Sequence, residues 1–343
     1  MSSIDFDKYR IPEVSLDSNI VGGDQQYSTQ SELEENKVHH NLRHLSHSGL
    51  QLLHNCPRKF ELVKLSSQVK LDEDEGGHLS FGTVVGNGVQ EYLVSGSRDR
   101  ALFRVFLDWK ESIDEEKALK NAKTFWHAIH AVDQFASLNA NTYSGYSVAY
   151  FQGRPAVEMG FAIDCGDGFY YRGKLDALLI HNIRKEFLII ECKTTGYTNV
   201  HEAMYKNSGQ ALGYGLVVDR IAYDLGLSNS YSVSYPVYKT RSQEWQEFRF
   251  PKSPVQRSTW LQSILIEVGQ ITQYVELDYF PPHGESCFSF NRECNFFGVC
   301  NLSNDTLIGD LARVPIKRDK EEDYPFKFSI QELIEAQLAD RLE

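Results

Sequence analysis

The stretch from Gly173 to Gly196, GKLDALLIHNIRKEFLIIECKTTG, constrains the fold more than any other part of this chain. It reads as two apolar strands joined by a short polar turn. Asp176 lies on the first strand, and Glu191 and Lys193 lie on the second. The strand period of two puts Glu191 and Lys193 on one face and Cys192 on the other. With the turn centred between Ile183 and Arg184, Asp176 sits directly across from Glu191 on that face. Two facing carboxylates repel and destabilise a hairpin. Inside an apolar stretch that repulsion calls for compensation. A hard divalent cation held by both carboxylates supplies it, with Lys193 as the nearby protein cation.

The 343 residues allow one large domain with additions, or two domains, and 41% apolar residues are enough for a sizeable core. A net charge of −12 argues against nonspecific coating of nucleic acid, but it leaves room for a local basic groove. The opening MSSIDFDKYR has no apolar signal core, and no window approaches the roughly 18 apolar residues of a membrane span. These features lead us to expect a soluble cytoplasmic protein that does not engage membranes. Six cysteines in such a chain favour metal binding or buried thiols over disulfides.

Residues 1–37 are polar and read as a flexible tail, with Tyr9 to Val14 as a short segment able to dock. Ser46 to Leu65 reads as helical with Ser46 or Ser48 as N-cap, interrupted by Pro57. Leu71 to His78 is an acidic loop, Phe81 to Leu93 has helical spacing, and Glu115 to Leu138 is an amphipathic helix. The period then changes. Ala156 to Ile163, Phe169 to Ile180 and Glu186 to Lys193 are strand-like, Asn199 to Ile221 is helical, and Tyr231 to Tyr238 and Glu244 to Phe250 form a further strand pair. Thr259 to Val275 is another helix, and a cysteine-rich loop runs from Cys287 to Cys300. Residues 313–343 read as a charged tail ending in a helix, Ile330 to Leu342. The pattern is an α/β core with helical additions, and residues 38–312 form its main domain.

Fourteen residues separate Asp176 from Glu191-Cys192-Lys193. That spacing resembles the signature of the PD-(D/E)XK nucleases. Gln210-Ala-Leu-Gly-Tyr214 follows on a predicted helix and resembles the QxxxY motif of the RecB-like branch. Gln210 and Tyr214 are four apart and share a helix face. A lone D…ExK is also what a solvated strand face carries; here both strands are apolar and the helix follows at a fitting distance. The resemblance covers about residues 44–302 and implies a mixed central sheet flanked by helices. It also implies that Asp176, Glu191 and the backbone carbonyl of Cys192 hold Mg²⁺ or Mn²⁺, and that Lys193 orients water or stabilises the phosphate. Gln210 and Tyr214 then position DNA or the groups behind the metal ligands. The chain departs from the RecB-like pattern in one place: FGTVVGNGVQ has Gly86 where a metal-binding His usually stands, with Gln90 one turn later. Gln90 and Glu158 are further candidates for the metal site.

Cys287, Cys294 and Cys300 form a compact triad, and Cys56 lies far upstream in NCPRKF. Four thiolates suit either a [4Fe–4S] cluster or tetrahedral Zn²⁺. The arrangement resembles the iron–sulfur staple of AddB-like and Cas4-like nucleases, which favours [4Fe–4S] and implies a structural role joining the N- and C-terminal parts. Cys165 and Cys192 fit as plain buried thiols. Arg58, Lys59, Arg172, Lys174 and Lys206 are candidate phosphate contacts.

The resemblance implies a metal-dependent nuclease acting on DNA, single-stranded or with free ends. An exonuclease role is expected, in recombination, repair or phage DNA processing, beside a helicase or single-strand annealing protein. Two other readings fit the same residues. One is a non-catalytic DNA- or partner-binding protein that keeps the fold, and the other is a zinc-stapled adaptor.

Overall fold

The computed structural model describes residues 38, 40–65, 76–109, 123–289, 292–301 and 323–339. The expected tail at 1–37, the start of the acidic loop and the first residues of the Glu115–Leu138 helix lie outside the described residues.

The expected helix at Ser46–Leu65 is two helices, α1 (His47–Asn55) and α2 (Pro57–Leu65). Ser46 caps α1, its hydroxyl accepting from the Gly49 N–H at 3.2 Å. Cys56 sits between them in extended conformation, φ −162°, as the residue before a proline prefers. Helix α3 (Gly76–Ser95) takes in the end of the acidic loop. It is followed by α4 (Arg98–Asp108), which the sequence reading did not assign, and by α5 (Phe125–Thr142). Ser97 caps α4 by accepting from the Arg100 N–H.

A mixed sheet follows. Its strands are β1 (Tyr146–Val148), β2 (Val157–Gly166), β3 (Phe169–His181), β4 (Phe187–Ile190) and the short β5 (Lys193–Thr195). The crossing helix expected at Asn199–Ile221 is split at Asn207–Ser208 into α6 (Ala203–Lys206) and α7 (Gly209–Asp224). Strands β6 (Tyr231–Lys239) and β7 (Glu244–Pro251) form the expected pair, and it is antiparallel. Helix α8 (Pro254–Glu276) opens with a capping box between Ser253 and Gln256 and with proline in its first turn.

The main order across the sheet is β7–β6–β4–β3–β2, and a last strand, β8 (Phe326–Ser329), pairs in parallel with β2. Helix α9 (Ile330–Ala339) continues from β8 and packs on α7. The helix expected at Ile330–Leu342 is present, and before it the residues read as a charged tail supply an unforeseen edge strand, with Phe326, Phe328 and Leu333 buried. The close approach depends on Gly160 of β2, where a Cβ would stand 1.8 Å from the Asp323 carbonyl.

Helices cover both faces of the sheet. On one face, α3, α4 and α5 bury Phe81, Val85, Val89, Val105 and Phe135 against Leu179, Leu188 and Tyr238. On the other, α1, α7, α8 and α9 bury Leu50, Val217, Leu261 and Leu333 against Phe161, Leu178 and Ile189. The result is a central mixed sheet between helical layers. Among the described residues, no helix is long and apolar enough to cross a membrane.

Candidate active site

The hairpin register is the one read from the sequence. Ala177 pairs with Ile190, Leu178 with Ile189 and Ile180 with Phe187, so the next opposed positions are Asp176 and Glu191. Regular pairing with β3 stops there. Glu191 and Cys192 bridge β4 to β5, and both short strands lie parallel to β6. The Glu191 N–H donates to the Ser234 carbonyl at 3.0 Å, which keeps the segment on the sheet through the break.

The side chains converge. Lys193 Nζ donates to Glu191 Oε1 at 2.6 Å and to Gln210 Oε1 at 3.1 Å. Gln210 Nε2 donates to the Tyr214 hydroxyl at 2.7 Å, across one turn of α7. The Cys192 N–H donates to Asp176 Oδ2 at 2.9 Å. The Cys192 thiol packs with the opposite core, as its place in the strand alternation requires.

Charge is concentrated where water is scarce. Glu191 is 2% exposed, and its Oε2 is buried without a hydrogen-bond partner. Burial holds the Glu191 carboxyl above the usual range, against the pull of Lys193 and of the Tyr214 hydroxyl beside it. Burial and the neighbouring Glu191 push Asp176 well above it. Burial lowers the Lys193 ammonium, but Glu191 and Asp176 outweigh it and the net shift is upward. Burial also raises the Tyr214 hydroxyl, with both carboxylates adding to the shift. A buried carboxylate oxygen with no donor costs about 1–3 kcal/mol or more, and a cation removes that deficit. Oxygen donors suit Mg²⁺ or Mn²⁺, so the residues present fit a hard divalent ion.

Gln90 and Glu158 also meet. Gln90 Nε2 donates to Glu158 Oε1 at 2.6 Å. Helix α3 lies close to β5 at Gly82, where a Cβ would stand 3.1 Å from Thr194 Oγ1. One turn later Gly86 faces open space, with nothing within 4 Å of a Cβ placed there.

His47, in the first turn of α1, was not singled out from the sequence. Its ring lies beside Gly209, the residue before Gln210, and Lys193 joins burial in lowering its pKa. No local pattern links positions 47 and 193, so only the fold could reveal this neighbour.

The four cysteines of the second constellation are brought to one region. Cys56 Sγ accepts from the Lys59 N–H at 3.4 Å and from the His283 N–H at 3.5 Å. The Cys294 N–H donates to the Cys287 carbonyl at 2.8 Å, and Arg58 Nε donates to the Cys300 carbonyl at 3.1 Å. Burial raises the Cys300 thiol, with Cys56, Cys287 and Cys294 adding to the shift. Among the described residues, no set of three or more His, Cys, Asp or Glu side chains is already arranged to hold an ion. Four thiols are the donor set of a thiolate-bound centre, and two N–H groups point at the Cys56 sulfur.

Three of the candidate phosphate contacts are engaged within the protein, Lys206 through a surface pair with Glu202 at 3.8 Å. Arg58 pairs with Glu61 at 2.5 Å. Arg172 is buried and stacks over Tyr170 and Tyr324. Lys174 and Lys206 are exposed.

A family model described as the PD-(D/E)XK nuclease superfamily matches residues 44–301. No curated protein matches. Among solved structures, a protein from Eubacterium rectale named "Putative exonuclease" is 11% identical, with a TM-score of 0.44, and the match covers 77% of this chain and 92% of that one. A protein named SSO0001 is 13% identical, with a TM-score of 0.29, and the match covers 80% of this chain and 96% of that one.

Proposed function

This chain belongs to the PD-(D/E)XK nuclease superfamily, and we propose that it is a divalent-metal-dependent deoxyribonuclease acting on DNA ends. One observation carries the reading. Glu191 lies opposite Asp176, one of its oxygens is held by Lys193, and the other is buried without a partner.

Asp176, Glu191 and the Cys192 carbonyl would hold Mg²⁺ or Mn²⁺. When bound, such an ion polarises the phosphate and acidifies a water. The protein's own groups do the rest. Lys193, freed from Glu191, presents its ammonium to the attacking water or to the phosphate oxygens. Gln210 steers that ammonium from α7, and Tyr214 holds Gln210 in turn. Burial keeps the groups in a low-dielectric setting, where charge stabilisation is stronger than in water.

Cys56, Cys287, Cys294 and Cys300 would hold a [4Fe–4S] cluster, with Zn²⁺ as the competing occupant. The centre would tie the α1–α2 junction to the loop after α8, and metal-binding energy would become folding energy. The resemblance of the QxxxY helix and of the cysteine spacing supports an exonuclease of recombination, repair or phage genome processing. Such an enzyme would work in the cytoplasm, with a helicase or annealing protein as the partner class.

The test is digestion of linear and covalently closed circular DNA by anaerobically purified protein, with Mn²⁺ and with a chelator. Mn²⁺-dependent loss of linear DNA alone supports the reading. Cleavage of the circle would point to an endonuclease. No cleavage of either single- or double-stranded DNA would favour a DNA- or partner-binding protein that retains the fold.

A further inference from the structure

We propose that Glu158 is a third carboxylate of the cation site and that Gln90 is the residue that positions it. The inference rests on the cation reading of Asp176 and Glu191.

The sheet register brings the three acids into one row. The pairs Val157↔Ala177 and Met159↔Leu175 place Glu158 opposite Asp176. The pair Ala177↔Ile190 places Glu191 opposite Asp176 on the other side. Neighbouring strands stand ~4.8 Å apart, so the row is about 10 Å long. The three carboxylates are not already gathered around one point, but glutamate side chains at the two ends of the row are long enough to close on an ion whose bonds to oxygen are about 2.1 Å.

Each carboxylate is anchored in the same way, through one oxygen. Gln90 Nε2 holds Glu158 Oε1 at 2.6 Å, the Cys192 N–H holds Asp176 Oδ2 at 2.9 Å, and Lys193 holds Glu191 Oε1 at 2.6 Å. One end of the row is the buried, unpartnered Glu191 Oε2. Of the oxygens not held in this way, Glu191 Oε2 is the buried one, and Glu158 reaches the site from an exposed position on its strand. The Glu158 charge also reaches both neighbours, adding to the upward shifts of Asp176 and Glu191.

The backbone at Glu158 is unusual. Its φ is +47°, a left-handed conformation within a strand whose neighbours pair regularly. A non-glycine residue adopts it at a cost and keeps it only where the surroundings hold it. The anchor is the Gln90 amide, itself 7% exposed, on α3. One turn earlier that helix offers only the open space at Gly86. Through Gln90, α3 therefore contributes an oxygen ligand borne by the strand in place of a ligand of its own. An all-carboxylate row favours Mg²⁺ or Mn²⁺ over Zn²⁺.

The experiment is titration of the anaerobically purified, cluster-loaded full chain, freed of Mg²⁺ and Mn²⁺, with MnCl₂, reading free Mn²⁺ by electron paramagnetic resonance, with circular dichroism as the fold control. Glu158→Gln is expected to weaken Mn²⁺ binding by ~10-fold or more and Gln90→Ala by less, within the range seen for ligand-supporting residues. Asp176→Asn is expected to abolish it. Glu158→Gln removes a repelling charge, so its metal-free melting temperature is expected to rise. If the Gln variant does not fold, Glu158→Asp is read instead, with intermediate affinity expected. Wild-type affinity in the Glu158 variant beside loss in Asp176→Asn would overturn this inference alone. Wild-type affinity in Asp176→Asn would overturn the cation reading beneath it.

Discussion

Lys193 Nζ lies 2.6 Å from Glu191 Oε1 and ties the most buried carboxylate of the site to its cation. The pair stands at the point where β4 ends and β5 begins. Two residues that strand alternation places on one face are therefore still joined after the ladder with β3 has stopped.

Replacing Lys193 separates charge neutralisation from chemistry. Lys193→Met leaves Glu191 buried without its cation. Because the Lys193 side chain is 35% exposed, the loss of stability is expected at about 1–3 kcal/mol, below the figure for a fully buried pair. Saturating Mn²⁺ should restore much of it, while kcat should fall by roughly 10²–10³-fold. Thermal melts with and without Mn²⁺, beside steady-state rates, check both halves.

The raised carboxylates set a pH dependence with a definite sign. A carboxyl whose folded pKa exceeds its unfolded value binds more protons in the folded chain, so its stabilisation is complete at low pH and is lost as pH rises through the folded value. Asp176 and Glu191 both have this shift. The metal-free protein should therefore lose their contribution between the ordinary carboxylate range and their raised values. Mg²⁺ should oppose the loss, and its affinity should rise with pH as protons leave. Melting curves of wild type and Asp176→Asn over roughly pH 5 to 8 would show the difference, with the variant flatter than wild type.

Tyr214→Phe removes the acceptor of Gln210 Nε2. The expected cost is about 1–3 kcal/mol for a donor left in a largely buried setting. A loosened Gln210 should also misplace Lys193 and lower kcat, with Mn²⁺ affinity changed far less than in Asp176→Asn because Tyr214 only borders Glu191. A fall in Mn²⁺ affinity equal to that of Asp176→Asn would contradict the assigned role.

The cysteines divide into two groups. Cys56→Ser should lose iron, the visible absorbance of the cluster and much of the thermal stability, because Cys56 joins the α1–α2 junction to His283. Cys165→Ser and Cys192→Ser should retain iron. Iron and sulfide content of the anaerobically purified variants, with zinc assayed in parallel, checks this and identifies the occupant.

Much of the site was legible because it is local. Asp176, Glu191 and Lys193 lie on one hairpin, whose register follows from strand alternation and turn position, and Gln210 and Tyr214 share one helix face. The split at Pro57 was equally readable from proline's effect on the preceding residue. What stayed hidden depends on distant partners. Phe326–Ser329 is a four-residue strand whose partner, Phe161–Asp164, lies more than a hundred residues earlier, and nothing in FKFS itself announces the pairing. Helix Arg98–Asp108 leaves Phe103, Phe106 and Leu107 exposed, which blurs its apolar stripe. The Gln90–Glu158 contact joins α3 to β2, and the left-handed backbone at Glu158 has no glycine to signal it.

The most direct measurement is the rate of release of label from end-labelled linear DNA under saturating Mn²⁺, for wild type beside Glu191→Ala and Asp176→Asn, with all three proteins folded and cluster-loaded. Steady release by wild type and background release by both variants is the predicted result. Equal rates in wild type and variants would place the chemistry elsewhere and contradict the account.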